Sequence, residues 1–309
     1  MTSAMKLAPA VPTASHAGLR DWAFTDDGSP TGDLLEAGRL LTGRTLDDLE
    51  LVRHGVNLVA KSEDAGMVLR VRGAEFRDAK YINLLQAKRL ATEGAKVVAP
   101  ATTAVAAVGD YAVTAWPLGV AGVGKDFRGW GAAVRSVHES AIPSGLPRLT
   151  VADRFEARLG SLPEGVPSDV KAELWRRAAE AEDLFEELRE GPQVLLHGDA
   201  HEGNCVRVGG QVRLIDLDGL SVGPREYDLL PGYVAFTRFH KDEKSWRKFM
   251  KGYGADVDWD RLARFAGIRE STMNSWLATM WDVRPETRPE LLHRMETWGT
   301  QGHRPWSAA

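Results

Sequence analysis

A glycine pair between two β-favouring runs, preceded by a polar loop, constrains this chain more than any other feature. Residues 194–219 read VLLHGDAHEGNCVRVGGQVRLIDLDG. Three apolar residues predict a short strand, which breaks into the polar loop 197–204. Residues 205–208 and 211–215 then alternate around Gly209-Gly210, and such a glycine pair favours a tight hairpin. The segment therefore predicts a strand, a polar loop and a hairpin in succession.

The hairpin also predicts which polar residues lie close together. Counting back from a two-residue turn places Asn204 opposite Ile215, so that Asn204 and Asp216 are diagonal neighbours on adjacent strands. Such neighbours lie about 5–8 Å apart. An amide oxygen and a carboxylate at this separation can share Mg²⁺, which prefers a few oxygen ligands, waters and substrate phosphates. Asp199 lies on the same loop, five residues before Asn204.

This set of side chains matches the needs of phosphoryl transfer. That reaction depends on metal ligands, a cation on the phosphates, and a group that accepts the proton of the attacking hydroxyl. Asn204 and Asp216 would bind Mg²⁺, and Asp199 would act as the catalytic base. All three are also ordinary turn residues, but their joint spacing favours the catalytic interpretation.

The order of secondary structure predicts two lobes. The chain has 309 residues, and its β-favouring runs come first and its helical periodicity later. We expect a flexible leader at 1–30, a sheet-rich N-terminal nucleotide-binding lobe at 31–115, and a helix-rich catalytic and substrate-binding lobe at 116–309. A cleft between such lobes is where a ligand is expected.

Composition excludes several classes of function. The net charge of −4 carries no basic surplus, which argues against a nucleic-acid partner. No apolar run approaches the roughly 20 residues of a membrane span, and the N-terminus does not resemble a secretory signal. The single cysteine, Cys205, permits no intramolecular disulfide and fits a cytoplasmic protein.

The motif itself resembles a known family. HGDAHEGN followed by LIDLD resembles the HGDxHxxN and IDxD signatures of the aminoglycoside phosphotransferase and choline kinase-like family. GPREYDLL at 223–230, VRSVHES at 134–140 and GMVLRVR at 66–72 resemble further segments of it. The resemblance implies an α+β, two-lobed protein-kinase-like fold, with a small antiparallel-sheet N-lobe and a larger helical C-lobe. It also implies ATP as co-substrate with Mg²⁺, and a small-molecule hydroxyl as acceptor.

The resemblance assigns further roles around the catalytic loop. Asp218 would help to bind the metal or face the substrate. His197 and Asp228 would be structural and brace the loop. His197 and His201 are four residues apart, but Gly198 argues against the helix that a zinc-binding pair at this spacing needs.

The same resemblance predicts the nucleotide site. Arg70 takes the place of the family's usual lysine on the third strand, and arginine can grip phosphate through two hydrogen bonds. Thr114, Ala115 and Trp116 would form the hinge whose backbone meets the adenine. Gly55 is the one glycine in the loop expected to cover the phosphates.

One expected partner of Arg70 is missing from the pattern. The family places a glutamate on the helix after the third strand. Here Asn83 falls at that position, and Glu75 lies too early. A non-catalytic nucleotide-binding pseudokinase module is therefore the alternative to an active kinase.

The sequence narrows the acceptor without identifying it. The loop reads HGD, whereas protein kinases have HRD. GPREYDLL also follows Asp216 so closely that no room is left for the activation segment of a protein kinase. The acceptor is then a small molecule, such as an antibiotic or a hydroxylated metabolite. Residues 226–309 carry twelve acidic and thirteen basic side chains, a balance that disfavours a polycationic aminoglycoside. Six of the ten tryptophans follow residue 245, where a helical core is expected and one or two could stack on a substrate.

Overall fold

A computed structural model describes residues 17–54, 57–239, 242–254, 257–298 and 305–307. The chain forms two compact units. The first contains the described residues up to Arg89 together with Ala99–Gly119, and the second contains Leu90–Val98 and the residues from Val120 onward. The sequence predicts a single boundary between the two lobes, at 115/116. In the structure the chain passes from one unit to the other three times, at 89/90, 98/99 and 119/120.

The first unit is built on one antiparallel sheet. Its strands follow the order β1-β2-β3-β5-β4, and each neighbouring pair is antiparallel. The strands are β1 (Glu50–His54), β2 (Leu58–Ser62), β3 (Met67–Gly73), β4 (Ala106–Val108) and β5 (Tyr111–Pro117). This is the small antiparallel sheet that the resemblance implies for the N-terminal lobe.

One face of this sheet is apolar and covered by two helices. Leu69 and Val71 of β3 are fully buried in a core shared with helices α1 (Ala17–Ala23) and α2 (Gly32–Thr42). Thr31 caps α2 by accepting a hydrogen bond from the backbone N–H of Leu34. Because side chains alternate along a strand, the residues between Leu69 and Val71 lie on the other face.

The segment expected as a flexible leader differs in its second half. Residues 1–16 lie outside the described residues, but α1 follows directly, with Leu19 and Phe24 buried in the core. Phe24 forms a β-bridge with Pro30. The composition of this segment is rich in small and polar residues. Composition alone does not show that its few apolar side chains pack into the core.

The second unit is mainly helical. Helix α3 (Arg77–Thr92) crosses from the first unit, and its last residues belong to the second. Seven further helices are described: α4 (Phe127–His138), α5 (Ala152–Leu159), α6 (Ser168–Leu188), α7 (Glu226–Arg238), α8 (Glu243–Tyr253), α9 (Trp259–Thr279) and α10 (Arg288–Thr297). The buried face of α6 is the one that its periodicity predicts: Val170, Leu174, Ala178, Ala181, Phe185 and Leu188.

Five short strands complete the second unit: β6 (Val120–Ala121), β7 (Gln193–Leu196), β8 (Cys205–Val208), β9 (Gln211–Leu214) and β10 (Ser221–Pro224). The predicted hairpin and its register are confirmed, because Val208 pairs with Gln211 across the turn. Both turn glycines have positive φ, at 57° and 77°, as a tight hairpin turn requires. Leu214 also bridges Val97 in parallel, which brings the segment after α3 into this unit.

The tryptophan-rich C-terminal region is largely a packed core. Four of its tryptophans are buried, namely Trp246, Trp281, Trp298 and Trp306. Trp259 and Trp276 are exposed. The expectation of a helical core holds for the first four. Among the described residues, no helix combines the length and the apolar character that crossing a bilayer requires.

Candidate active site

The loop that carries the predicted catalytic residues begins where β7 ends. β7 pairs with β10, with Leu196 opposite Ser221. Gly198 then has φ +82°, and a Cβ built on it would lie 2.1 Å from the backbone oxygen of Gly219. A side chain is excluded at this close approach, so the glycine of the HGD motif allows the loop to turn against the residues before β10.

Asp228 fixes the buried side of this loop. Its fully buried carboxylate accepts hydrogen bonds from the backbone N–H groups of His197 at 2.7 Å and Gly198 at 2.9 Å. His138 Nε2 lies 3.2 Å from the same carboxylate. Three donors from two backbone groups and one ring satisfy a buried charge and hold the loop in one conformation.

Tyr253 extends this network beyond the carboxylate. A carboxylate only accepts hydrogen bonds, so Nε2 of His138 donates to Asp228. The hydroxyl of Tyr253 lies 2.9 Å from Nδ1 and forms the second hydrogen bond of the ring. Burial raises the pKa of Tyr253 to about 12, which keeps this hydroxyl protonated. Helices α4, α7 and α8 are thereby tied to the loop.

His197 and His201 contact different groups and do not form a metal-binding pair. His197 Nε2 lies 2.9 Å from the carbonyl oxygen of Ile215, which makes this nitrogen the donor. Its Nδ1 accepts from the N–H of Asp199 at 3.3 Å. His201 Nδ1 accepts from the N–H of Gly203 at 3.0 Å. Among the described residues, no group of three histidine, cysteine or acidic side chains is arranged for a metal ion.

Asp199 occupies the open side of the loop. Its side chain is 44% exposed, and Oδ1 accepts a hydrogen bond from Arg269 Nη1 at 2.8 Å. Burial of the group acts to raise its pKa, but the charge of Arg269, followed by His201 and His197, outweighs burial and holds the pKa below the ordinary range. Asp199 is therefore an ionised, accessible carboxylate, the form that a base requires.

Asn204 is oriented by Asp199. Its Nδ2 donates to the backbone oxygen of Asp199 at 2.9 Å and lies 3.3 Å from Oδ2. Since only the amide nitrogen can donate, Oδ1 is turned away from Asp199 and offers an oxygen to a cation. The backbone oxygen of Asn204 accepts from the N–H of Ile215 at 2.9 Å, which confirms the predicted pairing next to Asp216.

Asp216 has a left-handed backbone conformation. With φ 67° and ψ 62°, it is the one non-glycine residue of the described chain with positive φ. A left-handed conformation is costly for most side chains and is tolerated by aspartate. A 3₁₀ turn, Leu217–Gly219, follows directly and exposes Asp218. The oxygen donors of Asn204 and Asp216 fit the preferences of Mg²⁺.

Three arginines near Asp199 were not predicted from the sequence. Arg269 of α9 contacts the carboxylate, and Arg154 of α5 donates to the backbone oxygen of Gly198 at 3.1 Å. Arg158 follows Arg154 by one helical turn and donates to the backbone oxygen of Thr272 at 2.8 Å. The i, i+4 spacing of Arg154 and Arg158 could have indicated that both side chains lie on one face of α5. No local pattern links α5 and α9 to a loop that lies between them in the sequence.

The first unit contains the residues predicted to bind nucleotide. Arg70 lies between the fully buried Leu69 and Val71, so its side chain is on the sheet face opposite α1 and α2. Its cross-strand neighbours are Val59 on β2 and Thr114 on β5. Arg70 is thus placed on the sheet face opposite the apolar core.

The predicted adenine-binding residues lie inside β5. Thr114 and Ala115 are buried, and Trp116 Nε1 donates to Thr114 Oγ1 at 3.0 Å. The backbone oxygen of Ala115 accepts from the N–H of Ala101, so it is already used within the sheet. Strand β5 continues to Pro117, beyond the predicted hinge. Gly55 lies outside the described residues.

The first unit is built on an antiparallel sheet, and the helical second unit contains a strand, a loop and a hairpin in succession. Together these features define a protein of the protein-kinase-like class. Within that class, the chain belongs to the phosphotransferase enzyme family, whose model matches residues 68–265. The match spans both the third strand and the catalytic loop. The chain is accordingly a small-molecule phosphotransferase, as the resemblance implies.

Solved structures share the fold at low sequence identity. A spectinomycin phosphotransferase in complex with ADP and spectinomycin is 17% identical, with a TM-score of 0.61, over 87% of this chain and 94% of that chain. An amicoumacin kinase in complex with AMP-PNP and Ca²⁺ is 16% identical, with a TM-score of 0.66, over 85% and 91%. A choline/ethanolamine kinase family protein from Mesorhizobium loti is 17% identical, with a TM-score of 0.56, over 83% and 88%. A comparison with curated protein sequences gives no match.

Proposed function

We propose that this protein transfers the γ-phosphate of ATP to a hydroxyl group of a small molecule, with Asp199 as the catalytic base. The observation that carries the proposal is the state of Asp199. Its carboxylate is accessible and ionised, and it stands on a loop that Asp228 holds from the buried side. An inert turn residue needs neither feature.

The proposed step is a direct displacement at phosphorus. The acceptor hydroxyl oxygen forms a bond to the γ-phosphorus, while the bond from that phosphorus to the oxygen bridging to the β-phosphate breaks. The hydroxyl proton passes to Asp199. The products are a phosphate monoester and ADP. Because such transition states need positioning and charge stabilisation more than covalent chemistry, one oriented carboxylate is sufficient as base.

Asn204 and Asp216 are the proposed ligands of Mg²⁺. The amide of Asn204 is fixed through its nitrogen, and the carboxylate of Asp216 is presented from a left-handed backbone. When bound, the ion neutralises phosphate charge and orients the transferred group. Asp218, exposed in the next turn, is proposed to assist the metal or the substrate.

Arg70 is the proposed phosphate-binding cation. Its place opposite the apolar core supports this role, and a guanidinium can bind two phosphate oxygens at once. For the adenine, the proposed contact is the backbone near the end of β5, which contains the predicted Thr114–Trp116. The backbone oxygen of Ala115 is already bonded within the sheet, so another backbone group of this segment would meet the base. Cytoplasmic location and preference for ATP remain predictions.

A binding and transfer experiment tests the proposal. Mg-AMP-PNP should raise the melting temperature of the wild type, and Asn204→Ala and Asp216→Ala should abolish the Mg²⁺-dependent part of that rise. Label from γ-labelled ATP should also appear on a small molecule when the protein is incubated with a metabolite extract. Nucleotide binding without transfer would support the pseudokinase alternative. Absence of both would reject the proposal.

Asp169→Asn is a suitable control for the acidic substitutions. Asp169 lies in the first turn of α6 and is exposed. It has no role in the proposed site. Its variant should retain the full Mg²⁺-dependent stabilisation, which separates loss of metal ligands from a general change in charge.

A further inference from the structure

The open side of the catalytic loop is surrounded by guanidinium groups. Arg269 binds the Asp199 carboxylate, and Arg154 binds both the backbone oxygen of Gly198 and the hydroxyl of Tyr227, each at 3.1 Å. Burial, and then repulsion by Arg154, lowers the pKa of Arg158 to about 10, and the charges of Asp199 and Arg269 also act on it. The three arginines therefore lie within electrostatic reach of one another.

Acidic residues do not balance this charge. Asp199 offsets one of the three positive charges, and within the described part of the chain neither Arg154 nor Arg158 has a carboxylate at ion-pair distance. Of the acidic residues of α5, Asp153 accepts from the Thr150 hydroxyl and not from an arginine. The four groups together carry a net charge of about +2, since Arg158 stays protonated at neutral pH.

One buried donor also lacks a partner. The side chain of Arg269 is only 15% exposed. Its Nε has almost no exposed surface and no hydrogen-bond partner among the described residues. Leaving a buried donor unsatisfied is costly, and gathering like charges adds to that cost. A bound anion would relieve the repulsion between the like charges.

Resting on the proposed function, we propose that the acceptor is an anionic hydroxylated small molecule, whose carboxylate or phosphate group is bound by Arg154, Arg158 and Arg269 beside the hydroxyl activated by Asp199. Charge-assisted hydrogen bonds to guanidinium groups are the strong means by which proteins bind carboxylates and phosphates. A polycationic acceptor would meet three like charges here. The inference therefore excludes aminoglycosides and choline as the preferred acceptors.

Trp276 supplies a second contact surface for this acceptor. It follows Arg269 on α9 by seven residues, two helical turns, and so lies on the same face of the helix. Its side chain is 42% exposed, unlike the four buried tryptophans of this region. A large exposed aromatic side chain about 10 Å along the helix from Arg269 is suited to the less polar part of a substrate.

The test compares matched compounds that differ in charge. One series is glucose, glucuronate, glucose 6-phosphate and glucosamine, and a smaller one is glycerol, glycerate, glycerol 3-phosphate and choline. Melting temperatures are measured with saturating Mg-AMP-PNP, so that the nucleotide site is filled throughout. Stabilisation should be greatest for an anionic member and least for the cationic one. The carboxylate and phosphate members show which anion is preferred.

Arg158→Gln tests the guanidinium directly. Losing one charge-assisted hydrogen bond should weaken binding of the anionic member about 10- to 100-fold, with little effect on the neutral member. Arg158→Lys keeps the charge and should restore part of the affinity, which separates charge from folding. Arg264→Gln is the control, because Arg264 lies on the same helix as Arg269, is exposed and pairs with Glu187.

The outcomes are distinct for the two proposals. Three results would overturn the inference about the acceptor. They are equal stabilisation by all compounds of a series, stronger stabilisation by the cationic compound, and anion binding that Arg158→Gln does not weaken. Failure of Mg-AMP-PNP itself to stabilise the protein, with no transfer to any compound or extract, would instead reject the proposed function.

Discussion

The two sides of the loop 197–204 use an aspartate in opposite ways. On the buried side, the Asp228 carboxylate is inaccessible and takes three N–H donors. On the open side, the Asp199 carboxylate is 44% exposed and is held by one guanidinium, with an amide nearby. The carboxylate with saturated hydrogen bonds is suited to holding the loop, and the accessible one is suited to accepting a proton.

A loop carboxylate becomes reactive through access and rigidity together. Exposure alone is not enough, because many surface carboxylates are exposed and inert. Asp199 combines exposure with a loop whose buried side is hydrogen-bonded to Asp228. Changing each residue separately should therefore affect different measured quantities: transfer rate on the open side, and stability on the buried side.

The largest expected effect is on transfer by Asp199→Asn. An amide cannot accept the hydroxyl proton, so the transfer rate should fall about 100- to 10,000-fold. The melting temperature should fall less than in Asp228→Asn, because the Asp199 carboxylate is 44% exposed. Steady-state transfer and thermal unfolding measure the two quantities, with Asp169→Asn as control. Full activity in Asp199→Asn would show that another group accepts the proton.

The next largest effect is on stability, by Asp228→Asn. The new amide nitrogen would face an N–H donor in place of an oxygen, leaving buried groups unpaired at a cost of about 3 kcal/mol. Denaturant unfolding measures this loss, and transfer should fall as a consequence of a loosened loop. If the variant is as stable as the wild type but inactive, the assignment of the two aspartates must be reversed.

Much of this arrangement could be predicted from local sequence. The glycine pair predicts the hairpin register, and that register places Asn204 beside Asp216, as the pairing of the strands confirms. The helical period likewise predicts the buried face of α6. Both features depend on residues a few positions apart, where periodicity and turn chemistry determine the geometry.

What the sequence could not show depends on distant contacts. Arg269 lies 70 residues from Asp199, and nothing in the spacing of α9 indicates which loop its exposed face meets. The parallel bridge of Val97 to Leu214 is equally nonlocal. The predicted hinge at Thr114–Trp116 was set by resemblance, and the strand itself extends to Pro117.

A smaller effect is expected at the far end of the buried network. Tyr253→Phe removes the hydrogen bond between Tyr253 and His138, while Asp228 keeps its two backbone donors. One hydrogen bond of this kind contributes about 1 kcal/mol, or roughly 2–4 °C in melting temperature for a domain of this size. Tyr81→Phe, at an exposed site on α3, is the control. A loss as large as that of Asp228→Asn would mean that His138, rather than the backbone donors, governs the loop.

The smallest effect at neutral pH, and the sharpest test of the open side, is the pH dependence of Arg269→Gln. Burial acts to raise the pKa of Asp199 and Arg269 acts most strongly to lower it, so removing Arg269 should raise that pKa. The wild-type maximal rate should show no loss from Asp199 protonation down to about pH 5, whereas the variant should lose rate as pH falls. The stability contribution has the same sign: it is present above the pKa of the unfolded carboxyl and is lost as pH falls through the lower folded value.

Rates are compared at saturating acceptor, as ratios of variant to wild type at each pH, so that ionisation of the acceptor cancels. Arg264→Gln should give a ratio independent of pH. A flat ratio for Arg269→Gln as well would show that Arg269 does not set the ionisation of Asp199. The low pKa would then have to come from His201 and His197, the other two side chains that lower the pKa of this carboxylate.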